Sequence, residues 1–208
     1  MSTRALQALK QHRFHLPWLL IKKFIASVVR IETLVLFRRA LDDVSHHTAP
    51  GLDIVPANDA ASQLFRRLCA KYPEKNFQER LGLRGRNCYV ALRNGDIAGY
   101  GWLSTDSLYV DEIACTYPLA PGEVFIYDCF VDDAYRGQGI YPAILEATLS
   151  DCSKRSDIHT AVIGAISVNQ ASIRGIRKAG FKEWKRIHYV EWGRRQHWWG
   201  LDACGNAA

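Results

Sequence analysis

The segment from Val124 to Tyr141 constrains this chain more than any other. A nearly continuous apolar strand, Val124–Val131, is interrupted only by Asp128 and runs into a glycine loop, Arg136–Tyr141. The loop opens an amphipathic helix, Ile140–Ser150. Strand, glycine loop and helix start together make an anion site. Gly137 and Gly139 let backbone N–H groups converge. The helix dipole adds positive potential at Gly139 and Ile140. Arg136 adds a forked cationic donor suited to phosphate. The ligand implied is a pyrophosphate, although a G-x-G loop taken alone is also compatible with a tight turn. No G-K-[ST] follows, so this is not a Walker loop. The glycine loop comes late, with no acidic ribose partner beyond it, so it is not a dinucleotide fingerprint.

Elements alternate along the rest of the chain. Pro17 suits the first turn of a helix running to about Val29. The β-branched run Ile31–Phe37 reads as a strand, and Ser45–Gly51 as a linker. Leu52–Val55 is a short strand. Asn58 or Asp59 can cap the next helix, and Glu74–Leu83 is a further helical piece. Asn87–Arg93 and Asp96–Ser104 flank Asn94-Gly95, a hairpin turn signal. Leu108–Cys115 reads as a strand, Thr160–Val168 as another, Gln170–Ala179 as a helix closed by Gly180, and Phe181–Trp192 as one or two strands. A mixed sheet with helices on both faces follows.

Arg136 to Tyr141 resembles the pyrophosphate signature R/Q-x-x-G-x-G/A of the GNAT superfamily of acetyl-CoA-dependent N-acetyltransferases. The resemblance extends over roughly Leu52–Trp192. Asn169 to Ser172, followed by a helix and then Lys178 to Phe181, is similar to the family's closing signature. The Asn-Gly hairpin with Ile97–Trp102 resembles its second and third strands. The fold implied is a mixed, mostly antiparallel α/β sheet flanked by helices. A basic helical N-terminal extension (1–44) would precede an acetyltransferase domain (52–195) and a tail (196–208). The acyl donor implied is acetyl-CoA. Backbone groups of Cys129, Phe130 and Val131 would hold the pantetheine arm like an added strand. Arg136, Gly137, Gln138, Gly139, Ile140 and Tyr141 would cradle the pyrophosphate. Asn169 and Ser172 would lie along the pantetheine or the thiol end, with Asn169 equally able to act as a plain helix cap.

The sequence departs from the family in two places. Tyr141 stands at the last G/A position of the loop, so its side chain must point away from the phosphates. Many members carry a tyrosine seven residues after the asparagine, as general acid for the thiolate; here that residue is Ile176. A thiol with a pKa of roughly 8.5 leaves tolerably as thiolate, and Tyr141, Cys129 or a water can substitute. A protonated amine acceptor must lose a proton, and Asp128 is the first candidate base, ahead of Glu112 and Glu123. The alternative for Asp128 is a structural pair with an arginine or a backbone N–H.

Arg66, Arg67, Arg80, Arg84 and Arg86 cluster near the acceptor side, as a solvated basic face or as a recogniser of an anionic acceptor such as an amino-sugar nucleotide. The net charge of +6 is concentrated in the N-terminal arm, which argues against a nucleic-acid-binding domain. Lys22 and Lys23 split the arm's apolar runs, so it is too short to span a bilayer. It reads either as an amphipathic helix on a core face or as a basic helix at an anionic membrane surface. A basic arm before such a core also loosely resembles bacterial acyltransferases of surface-polysaccharide pathways. The six cysteines show no C-x-x-C pairing and read as reduced thiols of a cytoplasmic protein without a metal site. The acceptor expected is a small-molecule amine, and a homodimer is compatible with the sequence. The competing functions are a non-catalytic acyl-CoA-binding module, suggested by Ile176, and a protein or peptide N-acetyltransferase.

Overall fold

Asn94 (φ 52°) and Gly95 (φ 88°) both take the left-handed conformation, which a two-residue type I′ turn demands. They join β3 (Arg86–Arg93) to β4 (Asp96–Ser104), with Arg93 opposite Asp96. The computed structural model describes residues 29–42 and 50–200, and this hairpin sits within its main sheet. The expected helix from Pro17, most of the Ser45–Gly51 linker and the end of the expected tail lie outside the described residues.

The remaining strands are β1 (Val29–Ala40), β2 (Leu52–Pro56), β5 (Leu108–Val110), β6 (Cys115–Tyr117), β7 (Glu123–Val131), β8 (Thr160–Ile166), β9 (Lys182–Trp192) and β10 (Arg195–Trp199). Eight of them form one sheet in the order β10-β9-β1-β8-β7-β4-β3-β2, and β5 pairs with β6. Among these pairings only β7 with β8 is parallel. That pair is bridged by α3 (Ile140–Cys152), the crossover that parallel neighbours need. The architecture is the mixed, mostly antiparallel sheet that the motifs implied.

Helices cover both faces. Cys88 and Val90 of β3 meet Phe65 and Leu68 of α1 (Gln63–Lys71) and Phe77 of α2 (Phe77–Leu81). Their neighbours Tyr89 and Ala91 point the other way, into the clusters built by α3 and α4 (Gln170–Lys178). The period-two alternation of a strand thus feeds two cores at once. Ser62 caps α1 by accepting from the Phe65 N–H at 3.1 Å.

The sheet departs from the sequence reading at three places. The N-terminal segment that was set apart as an extension supplies β1, which lies between β8 and β9 and pairs antiparallel with both. Leu34, Val35, Leu36 and Phe37 of that strand are buried. The single strand expected over Leu108–Cys115 is two short strands separated by a 3-10 turn, Asp111–Ile113. Residues 195–199, mostly assigned to a tail, form β10 along the edge of β9. Of the cysteines, Cys69, Cys88, Cys129 and Cys152 are free thiols, whereas Cys115 is disulfide-bonded, against the expectation of six reduced thiols.

Burial pushes the thiols of Cys129 and Cys152 up to about 12 from 9.0. The unfolded chain releases these protons first as the pH rises. The stabilisation is therefore complete below about pH 9 and is lost as the pH climbs towards about 12. Urea midpoints measured at about pH 8 and about pH 10.5 should fall between the two, and a flat response would contradict this assignment.

Candidate active site

Strands β7 and β8 pair only from Glu123 to Ile126 on the β7 side. Beyond Ile126 the β8-facing edge of β7 has no strand beside it among the described residues. The bulge that marks this divergence is Asp128, in the left-handed region at φ 42°. Between Tyr100 and Trp102 the register of β4 against β7 shifts, which is the signature of an extra residue in β7. Gly99 and Gly101 of β4 make room: a Cβ at 99 would strike the Phe130 carbonyl, and one at 101 would meet Ile144 and Cys129. Asp and Asn tolerate positive φ better than other side chains, so local sequence and bulge agree at 128.

The open edge of β7 joins two concavities. One is a groove of about 240 Å³ lined by Val131, Tyr135, Arg136, Gly137, Gly139, Ile140 and Tyr141, and by Ala171, Arg174, Gly175 and Lys178 of α4. Gly137 (φ 79°) and Gly139 (φ 75°) are required by their backbone conformation, since a Cβ at either would meet nothing within 4 Å. Gly139 caps α3 with no side-chain hydrogen bond, which leaves the first N–H groups of the helix for an outside acceptor. Arg136 pairs with Asp133 at 2.7 Å, yet its side chain stays 62% exposed. An exposed pair of this kind holds weakly, so the guanidinium is available to an anion. Arg136, Arg174 and Lys178 give the groove a cationic rim. Its backbone donors and charge fit a pyrophosphate.

The Tyr141 side chain turns away from the loop. Its ring lies on Gly175, where a Cβ would collide with it, and its hydroxyl meets Ser172 Oγ at 3.0 Å. Burial raises its pKa, so it remains a neutral donor. Asn169 is a helix cap, accepting from the Ser172 N–H at 3.1 Å. Cys129, Phe130, Gln138, Asn169 and Ser172 do not line the groove. The Phe130 ring is stacked on Tyr100 with centroids 5.6 Å apart, so only its backbone faces the site edge. Ile176 is fully buried in the core.

The second concavity, about 520 Å³, is lined by Asp128, Tyr127 and Phe125 of β7, Gly164 of β8, Leu34 of β1, by Lys75, Arg80, Leu83 and Arg86, and by the segment Leu108–Glu112. Asp128 Oδ2 accepts from Arg80 Nη1, so the structural partner considered for this carboxylate is real. Arg80 is itself set over the rings of Trp102 (5.1 Å) and Tyr127 (5.7 Å). Among the described residues no donor meets Asp128 Oδ1. Glu112 also lines this cavity, on the Asp111–Ile113 turn. Arg30 of β1 fixes that turn by donating to the carbonyls of Asp111 (3.3 Å) and Glu112 (2.9 Å), and Trp198 donates to Ile113 O at 2.7 Å. Glu123 is excluded as a base: it is buried, ion-paired with Arg38 and accepts from the Ala120 N–H. It lies at the start of β7, at the opposite end from the glycine loop.

Sequence reasoning missed Arg174 and Lys178 as groove residues, although their i, i+4 spacing on α4 placed them on one face. It also missed the pairing of Arg80 with Asp128, because 48 residues separate them.

A splayed parallel pair, a bulged strand and a glycine loop opening a helix make up the site. The chain belongs to the acetyltransferase (GNAT) family, whose model matches residues 57–181. Members of this family generally use acetyl-CoA. The fold is similar to a GCN5-related N-acetyltransferase from Kribbella flavida (TM-score 0.55, 11% identity, 85% of this chain and 63% of that one). It is also similar to a GNAT-family acetyltransferase structure from Novosphingobium aromaticivorans (TM-score 0.53, 14% identity, 79% and 66%). A third similar structure is a tandem GNAT protein from the clavulanic acid biosynthesis pathway (TM-score 0.51, 15% identity, 78% and 54%). The chain thus spans about two thirds or less of the length of these proteins. No curated protein matches it in sequence. Among the described residues no helix is long and apolar enough to cross a membrane.

Proposed function

We propose that this chain moves an acetyl group from acetyl-CoA directly to the primary amine of a small molecule, within a ternary complex. The observation that carries this reading is the open edge of β7, with the cationic groove at Val131 and the larger cavity at Asp128. Three residues of strand span about 10 Å, so one extended arm lying along the edge would reach from one to the other. Such an arm pairs with free backbone groups as an added strand, here those of Cys129 and Val131. The pyrophosphate would sit on the N–H groups that open α3, with Arg136 as counter-charge. The cavity volume is within the range of small-molecule sites and suits an amino sugar or an amine of similar bulk.

In the proposed step the amine nitrogen forms a bond to the acetyl carbon as the C–S bond breaks. The amine proton passes to Asp128 Oδ1, directly or through a water. The sulfur leaves as thiolate or takes a proton from Tyr141. Arg80 holds Asp128 in place. The tyrosine missing at position 176 was the motive for a non-catalytic acyl-CoA-binding module. Ile176 is buried in the core, so in this reading the acid role falls to Tyr141 or the thiolate leaves unaided.

Acetyl-CoA at a hundred times its Kd should stabilise the fold by about 2.7 kcal/mol. Arg136→Ala and Gly139→Asp should each reduce the thermal shift, and the wild type should acetylate members of a primary-amine panel. An undiminished shift in both variants would remove the donor assignment. A full shift with no amine acetylated would favour the binding-module reading.

A further inference from the structure

The larger cavity is lined by three cations, Lys75, Arg80 and Arg86, and they are not equivalent. Arg80 is matched by Asp128. Arg86 has no carboxylate partner among the described residues. Its Nη2 donates to the Ser107 carbonyl at 2.9 Å, while its Nη1 is buried without any acceptor. The guanidinium lies 5.6 Å from the centroid of the Tyr127 ring. The Tyr127 hydroxyl is likewise buried and without a partner, and burial lifts its pKa to about 12, so it is a neutral donor. Lys75 makes no ion pair among the described residues. A buried donor with no acceptor costs free energy, more so when it is charged. Arg86, Tyr127 and Lys75 all line one cavity.

The same cavity is lined by the carboxylates Asp111, Glu112 and Asp128. It therefore holds charge of both signs: carboxylates can draw in an ammonium group, and Arg86 lacks an anion.

We propose that Arg86, Tyr127 and Lys75 form an oxyanion subsite, so that the acceptor is a small amine carrying a carboxylate or phosphate. This inference rests on the acyl-transfer reading and narrows its acceptor. The oxyanion pairs with the Arg86 guanidinium, with Lys75 as second counter-charge. The amine is thereby directed towards Asp128. Arginine suits the role because its fixed fork can serve Ser107 and an oxyanion together.

The test uses the full chain and a matched set: butylamine, 4-aminobutanoate and 3-aminopropyl phosphate. For the wild type, kcat/KM should favour the oxyanion-bearing amines over butylamine by about 10- to 100-fold, the range of a charged hydrogen bond. In Arg86→Gln that ratio should collapse, mostly through KM, while Arg86→Lys should recover part of it. Lys75→Gln, which removes a surface charge without disturbing the core, should lower the ratio by a smaller factor. The carboxylate and phosphate arms show which oxyanion is preferred. Calorimetric binding of the same amines in the presence of CoA separates the two levels of inference. Oxyanion-dependent binding lost in Arg86→Gln, with no amine acetylated, would leave the subsite standing and sink the catalytic reading. Acetylation of all three amines at equal kcat/KM, or a ratio unchanged in both Arg86→Gln and Lys75→Gln, would overturn the subsite.

Discussion

Removal of residues 1–42 is expected to leave a chain that does not fold. The sequence reading set these residues outside the acetyltransferase domain, in an N-terminal extension. The pairing of β1 with β8 and β9 reverses that expectation. Both neighbours of β1 run antiparallel to it and hence parallel to each other, so closing the gap would require a new register for one of them. The lost burial is also large. Leu34, Val35, Leu36 and Phe37 are each at most 3% exposed. At about 1.5–3 kcal/mol for a fully buried side chain, they contribute roughly as much as the whole stability of a typical domain, about 5–15 kcal/mol. Removal of residues 1–28 keeps β1 entire and should give a folded, CoA-binding protein. Circular dichroism melts and acetyl-CoA thermal shifts on the two truncations decide the matter. A cooperative transition and a ligand shift in the 1–42 deletion would show that β1 is dispensable.

Asp128→Asn should lower turnover by about 10²–10⁴, the range for loss of a general base. Asparagine tolerates the positive φ at this bulge as aspartate does, so the backbone should hold. The ion pair with Arg80 would be lost, and both side chains are about a quarter exposed (28% and 26%). With the pair about three quarters buried, the stability cost should be about 1–3 kcal/mol. The distinguishing result is the pH profile. With amine deprotonation left to solvent, the variant's rate should rise with pH as free amine replaces ammonium, whose pKa is near about 10.4 for a lysine-like group. A variant that melts lower but turns over normally per folded molecule would make Asp128 a structural partner of Arg80. A stable, fully active variant would transfer the base role to Glu112 or to water.

The two variants probe different distances in the chain, and the same division separates what was readable in the sequence from what was not. The Asn94-Gly95 hairpin, the Asn169 cap, and the left-handed Gly137 and Gly139 at the start of α3 involve residues within a few positions of one another. Their geometry is fixed by φ/ψ preferences and local hydrogen bonds, so composition at those positions sufficed. The family resemblance rested on these same local patterns. The fate of Asp128 was half readable: a charge in an apolar strand had to be bulged, paired or reactive. Which arginine meets it depends on how α2 crosses the sheet. Two further contacts were out of reach, the Arg38–Glu123 pair, 85 residues apart, and the grip of Arg30 on the Asp111–Glu112 turn. Both depend on β1 entering the sheet between β8 and β9. A run such as Ile31–Phe37 announces that it will be a strand by its β-branched and apolar side chains. Its neighbours are chosen by the hydrogen-bonding edges left free once the rest of the sheet has formed, and those edges exist only in the tertiary structure.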